Sequence, residues 1–119
     1  MNTTTKLSIA AAILFFAPAA MACDYPSRAQ ITNGATASKE EMLESQKSVK
    51  EYMAAMEAYL ACLEQEEADA VAGLGELSDE EKANREAALT KKYNAAVEQM
   101  EIIAAQFNEE VRAYRAQGQ

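Results

Sequence analysis

Val71-Ala72-Gly73-Leu74-Gly75-Glu76-Leu77-Ser78-Asp79-Glu80-Glu81-Lys82 divides this chain into two long segments that carry the same kind of pattern. Gly73 and Gly75 end the first, as glycines commonly end helices. Ser78 followed by Glu81 opens the second: a serine cap with glutamate three residues on is a capping box. Upstream, Ser38 and Glu41 repeat that signature, with Thr36 as a rival cap two residues earlier. Between these marks the chain is almost free of helix breakers. The spacing predicts helices over about 38–72 and 79–116, each roughly 50 Å long. So short a turn makes them antiparallel neighbours.

The apolar residues support a hairpin. Met42, Val49, Met53, Met56, Leu60, Leu63, Ala70 and Leu74 mark the first helix, with Gln46 and Glu67 filling the gaps. Leu89, Tyr93, Ala96, Met100, Ile103, Phe107, Val111 and Tyr114 mark the second. Both rows alternate steps of three and four, the coiled-coil heptad. Facing residues of an antiparallel pair must also have nearly constant number sums. Leu63 with Leu89, Leu60 with Tyr93, Met56 with Ala96, Met53 with Met100, Val49 with Ile103, Gln46 with Phe107 and Met42 with Val111 satisfy that condition. The expected fold class is all-α: a helical hairpin or coiled coil over 38–119, preceded by an extended arm.

Residues 1–22 have the three parts of a secretory signal. Met1–Lys6 is short, polar and carries one positive charge. Leu7–Phe16 (LSIAAAILFF) is apolar, at about half the roughly 20 residues a bilayer span needs. Ala17–Ala22 (APAAMA) ends in the small-x-small pattern of a cleavage site. Cleavage after Ala22 leaves 97 of the 119 residues, with Cys23 first. Only Lys6 of the 11 Lys and Arg is lost and none of the 19 Asp and Glu, so 10 minus 19 gives −9. That charge argues against nucleic acid and anionic lipid as partners. The expected location is periplasmic or secreted, with no transmembrane segment after cleavage.

Residues 23–37 (CDYPSRAQITNGATA) lack a helical period, and Pro26 and Asn33-Gly34 are turn signals. This arm ends at Cys23. The one other cysteine, Cys62, lies well inside the first helix. Two cysteines in an exported chain point to a disulfide. Cys62 stands roughly 36 Å along the helix from Ser38, and fifteen extended steps span about 50 Å, so the arm reaches if it folds back along helix one. Tyr52, Ala55, Tyr59 and Cys62 form a second stripe to receive it, with Tyr25 and Ile31 as the arm's apolar residues. The alternative is acylation of Cys23 as in bacterial lipoproteins. Those signals normally place Leu three residues before the cysteine, where this chain has Ala20, and acylation leaves Cys62 unpaired.

Catalysis finds little support. The chain has no histidine, the commonest general base and metal ligand. No phosphate-binding glycine loop, nucleophile elbow or CxxC is present, and Ser38 and Ser78 are accounted for as caps. No enzyme activity and no cofactor are expected. Met42, Met53, Met56 and Met100 fit a seam as gap-fillers, with Cu(I) binding through thioethers as the sharper alternative. No basic residue lies between Lys50 and Lys82. Asp79, Glu80 and Glu81 suit the positive end of helix two. Glu64, Glu66, Glu67 and Asp69 approach the negative end of helix one, so they either solvate the tip or meet a cation or a basic partner.

The run Cys23, Asn33-Gly34, Ala35-Thr36, Glu41-Met42, Val49, Tyr52 and Tyr59-Leu60-Ala61-Cys62-Leu63 resembles small uncharacterised exported helical proteins of Gram-negative bacteria. The resemblance covers roughly the first half of the mature chain and implies an envelope location. It assigns no functional residue. In general shape the chain is also similar to periplasmic helical chaperones and adaptors, an analogy of fold alone. The expected role is a non-enzymatic binding or structural interaction module of the cell envelope, engaging another envelope protein through the apolar flank or the acidic tip of Glu64, Glu66, Glu67 and Asp69; exposed Ile102 and Val97 suggest homodimerisation into a four-helix bundle. The alternatives are a small metal or ligand carrier using the methionines or the acidic tip, and a lipid-anchored envelope protein.

Overall fold

The structure is a computed structural model and describes residues 22–118. The expected signal segment lies outside the described residues but for Ala22. Two helices, α1 (Lys39–Ala72) and α2 (Asp79–Ala116), pack against each other, and there is no strand among the described residues. None of these helices is long and apolar enough to cross a membrane.

Both helix starts are built by the residues that mark them in the sequence. Ser38 Oγ accepts from the Glu41 amide at 3.2 Å, and the Ser38 amide donates to Glu41 Oε2 at 2.7 Å. Ser78 and Glu81 repeat this at 3.2 and 2.8 Å. Each box satisfies amides that a helix otherwise leaves unpaired. The same bonds hold the carboxyls of Glu41 and Glu81 below the ordinary glutamate range, led by the backbone bond to Ser38 or Ser78. Thr36 does not cap. Its amide turns back to the Asn33 carbonyl at 3.3 Å, inside the turn that joins arm to helix.

The turn between the helices divides its work. Gly73 keeps a right-handed conformation with φ −87°, and its amide reaches back to the Ala70 and Val71 carbonyls. Gly75 is the residue that goes left-handed, at φ +70°, which only glycine takes without strain.

The core runs along the seam. Val49, Met56, Leu60 and Leu63 of α1 are buried with Ala96 and Ile103 of α2, and Met53, Leu89, Met100 and Phe107 pack against them. Met56, Ala96 and Ile103 are fully enclosed. The seam closes before the turn. Ala70 and Leu74, which the heptad places on it, are exposed: Leu74 because the chain has left the helix at Gly73, and Ala70 in the last turn of α1, beyond the final α1–α2 pair of Glu67 with Arg85. In their place Glu67 of α1 meets Arg85 of α2, and this pair falls on the same number-sum register as the apolar pairs.

Candidate functional site

The arm lies across both helices rather than on α1 alone. Running antiparallel to α1, it donates its Gln30 amide to Ser48 Oγ at 2.8 Å and its Thr32 amide to Ser45 Oγ at 3.2 Å. Ser45 is buried, and its hydroxyl in turn donates to the Gln30 carbonyl at 3.4 Å. An extended strand whose amides find no second strand needs such partners. Ser45 and Ser48 continue the stripe Tyr52, Tyr59, Cys62 by the same steps of three and four, so its spacing could have revealed them. Tyr52 is buried under the arm, and the Tyr25 ring meets the Tyr59 ring edge-on at 5.1 Å between centroids. Burial, with the Tyr25 hydroxyl next in weight, pushes the Tyr52 phenol above its ordinary range. Ala55 differs from expectation: it is exposed and takes no part in receiving the arm.

At the arm's far end Cys23 and Cys62 stand at bonding distance, their sulfurs 2.02 Å apart. Glu66 Oε2 lies 3.1 Å from Cys23 Sγ, a contact without a hydrogen bond, since a disulfide sulfur carries no proton.

The other end of the arm is latched to α2, which the sequence did not signal. The Gly34 amide donates to Glu110 Oε2 at 2.6 Å, and Gln117 Nε2 donates to the carbonyls of Gly34 and Ala37. Arg28 donates to Gln106 Oε1 at 2.7 Å between these points. Gly34 sits so close to the Glu110 backbone that a Cβ there overlaps it. These contacts join residues 76 to 83 positions apart, beyond the reach of any local pattern.

The four acidic residues singled out near the tip have different surroundings. Glu67 faces inward, its carboxylate gripped by Arg85 Nε and Nη2 at 2.8 and 3.0 Å, the fork geometry that suits guanidinium. Asp69 Oδ1 accepts from Gln65 Nε2 at 2.8 Å. Glu66 lies against the disulfide, and Glu64 is exposed. They are not gathered into one site, and among the described residues no group of three His, Cys, Asp or Glu is arranged to hold a metal ion. Met53, Met56 and Met100 belong to the seam cluster, while Met42 is buried nearer the open end.

Two surfaces remain unaccounted for by the seam and arm. Beside the turn, Val71, Leu77 and Leu89 line an open crevice of about 510 Å³ floored by Glu67 and Arg85, with Glu76 and Lys82 at its rim. Val71, which lines it, and Leu74 in the same turn region are 39% and 51% exposed. Along α2, only Ala96 and Ile103 of its 38 residues are buried. Ile102 and Val97, expected to serve one interface, occupy opposite flanks of α2. Ile102 shares the arm's flank, one turn from Gln106.

No protein-family model, curated protein or solved structure matches this chain.

Proposed function

We propose that this protein is a non-enzymatic interaction module of the cell envelope, exported by its first 22 residues and held in one shape by the Cys23–Cys62 bridge. It engages a protein partner through the turn end of the hairpin. The observation that carries this reading is the apolar crevice beside Gly75, open to solvent and bordered by acidic residues. An apolar centre with a charged rim is the anatomy of a protein-binding surface. The sequence has no histidine to serve as a general base.

A photoactivatable residue in place of Leu77 tests the surface in the living cell. It should give a discrete crosslinked product that the same residue at Lys47, on the far side of α1, does not give. Equal labelling at both positions, or none at Leu77, overturns the reading. Intact mass of the exported protein tests the rest. A chain starting at Cys23 and two hydrogens lighter than its dithiol form agrees with export and bridging. Added acyl mass, or retained leader residues, contradicts them.

A further inference from the structure

We propose that the flank of α2 facing away from the arm is the interface for a second copy of this chain, docked antiparallel. Tyr93, Val97, Met100, Ala104, Phe107 and Val111 follow one another at steps of four, three, four, three and four. They form one continuous stripe along α2. Tyr93 is exposed and the other five are half-buried; Val97, Met100 and Phe107 also pack against the seam cluster, which leaves the outer side of the stripe open. The arm does not cover it. The arm's hydrogen bonds to α2 and its C-cap go to Gln106, Glu110 and Gln117, on the opposite flank.

The stripe is its own complement. Tyr93 with Val111, Val97 with Phe107 and Met100 with Ala104 share one number sum, which is the condition for two copies of one helix to pair antiparallel about a twofold axis. The largest ring then meets a β-branched residue at each end, and Met100 meets the small Ala104 at the centre. Charge agrees. Glu86 and Arg115 continue the stripe beyond its two ends, and antiparallel docking sets Glu86 of one copy about three residues, roughly 4.5 Å, out of level with Arg115 of the other, a gap their long side chains span. Neither is in an ion pair among the described residues. Parallel docking instead sets Arg115 against Arg115 and crowds two acidic tips together. The antiparallel pair places those tips about 70 Å apart at opposite ends, taken from the helical rise. Glu86 also lines the crevice beside the turn, so Arg115 of the second copy comes to the edge of that crevice.

Sedimentation equilibrium of the purified exported protein tests this without any partner, so its failure is separate from failure of the crevice reading. The expected result is twice the chain mass. Val97→Glu should weaken the dimer by about tenfold or more, because it puts a charge in the apolar contact. Ile102→Glu, on the arm's flank, should leave it unchanged. Ala104→Glu at the centre serves if Val97→Glu loses helix content. Glu86→Arg and Arg115→Glu should each weaken association roughly twofold to fivefold, and their combination should restore it. A monomer up to the solubility limit overturns the proposal. So does a dimer broken by Ile102→Glu and indifferent to Val97→Glu and Ala104→Glu. Failure of the double charge swap to restore binding overturns the antiparallel orientation.

Discussion

Gly34→Ala should destabilise the protein, although at most glycines of ordinary φ the same change stabilises. Gly75 is the only glycine at positive φ, so the Gly34 backbone is one that alanine can adopt. On entropy alone, alanine there contributes about 0.4–1 kcal/mol of stability by narrowing the unfolded ensemble. The contact with α2 reverses the sign. A Cβ at this position falls 2.6 Å from the Glu110 carbonyl carbon and nearer still to its oxygen. Helix two holds that backbone in place, so the turn has to retreat by about 1 Å to reach ordinary van der Waals distance. The 2.6 Å bond from the Gly34 amide to Glu110 Oε2 then opens to about 3.6 Å, which is no longer a hydrogen bond. Losing a bond to a charged group costs about 1.5–3 kcal/mol, and staying overpacked costs about 1–3 kcal/mol. The molecule takes the cheaper course, so the net loss after the entropic gain is about 1–2 kcal/mol. Urea unfolding followed by circular dichroism gives the magnitude. Hydrogen exchange gives the place: the Gln30 and Thr32 amides should lose protection. Gly75→Ala is the control. It has open space around it but a left-handed backbone, so it should cost about 1 kcal/mol and leave the arm amides protected. A Gly34→Ala protein as stable as its parent, with the arm still protected, would refute the latch.

Glu67→Gln should lower stability by about 0.5–1 kcal/mol, a figure kept small because both partners are partly exposed, and added salt should shrink the difference. Stability should fall in acid as pH drops through and below the ordinary glutamate range: the boxes depress Glu41 and Glu81 in the folded state, so their contribution is present above the unfolded pKa and lost below the folded one. Ser78→Ala should flatten part of that acid limb in a pH series of melting curves. At the other extreme Tyr52 is raised, so its contribution is complete below the unfolded tyrosine pKa and is lost as pH climbs through the folded value. In an ultraviolet titration the Tyr52 phenolate should form above the ordinary tyrosine range, together with loss of the arm. Cys62→Ser opens a loop with a sequence separation of 39 and should cost up to about 4 kcal/mol in the chain-entropy account. A melting temperature unmoved by reductant would contradict it.

The parts legible in the sequence are those fixed by neighbours within a few positions. Ser38 with Glu41 and Ser78 with Glu81 place both helix starts, because each cap bonds a residue three further on. Gly73 and Gly75 place the turn for the same reason. The seam was legible through periodicity, since a helix returns to one face every three or four residues, and the number sums fixed its register. Periodicity also misled at Leu74, where it continues a face past the point at which Gly73 ends the helix that carries it, and at Ala70, which is still helical but lies beyond the last place where α2 stands opposite.

The Val71–Lys82 turn, the caps and the heptad therefore determined two antiparallel helices by themselves, because those signals act over a turn of helix. Only tertiary structure decided what lies on them. Several flanks could have received the arm, and the choice was made by Ser45 and Ser48 together with Glu110 and Gln117, contacts that bring distant residues together after the hairpin forms. That choice put Ile102 beside the arm and left Val97 on the open flank. The hairpin itself, and not the arm, put Glu67 against Arg85 instead of in the row of acids beside it, since a carboxylate's partner depends on which helix stands opposite.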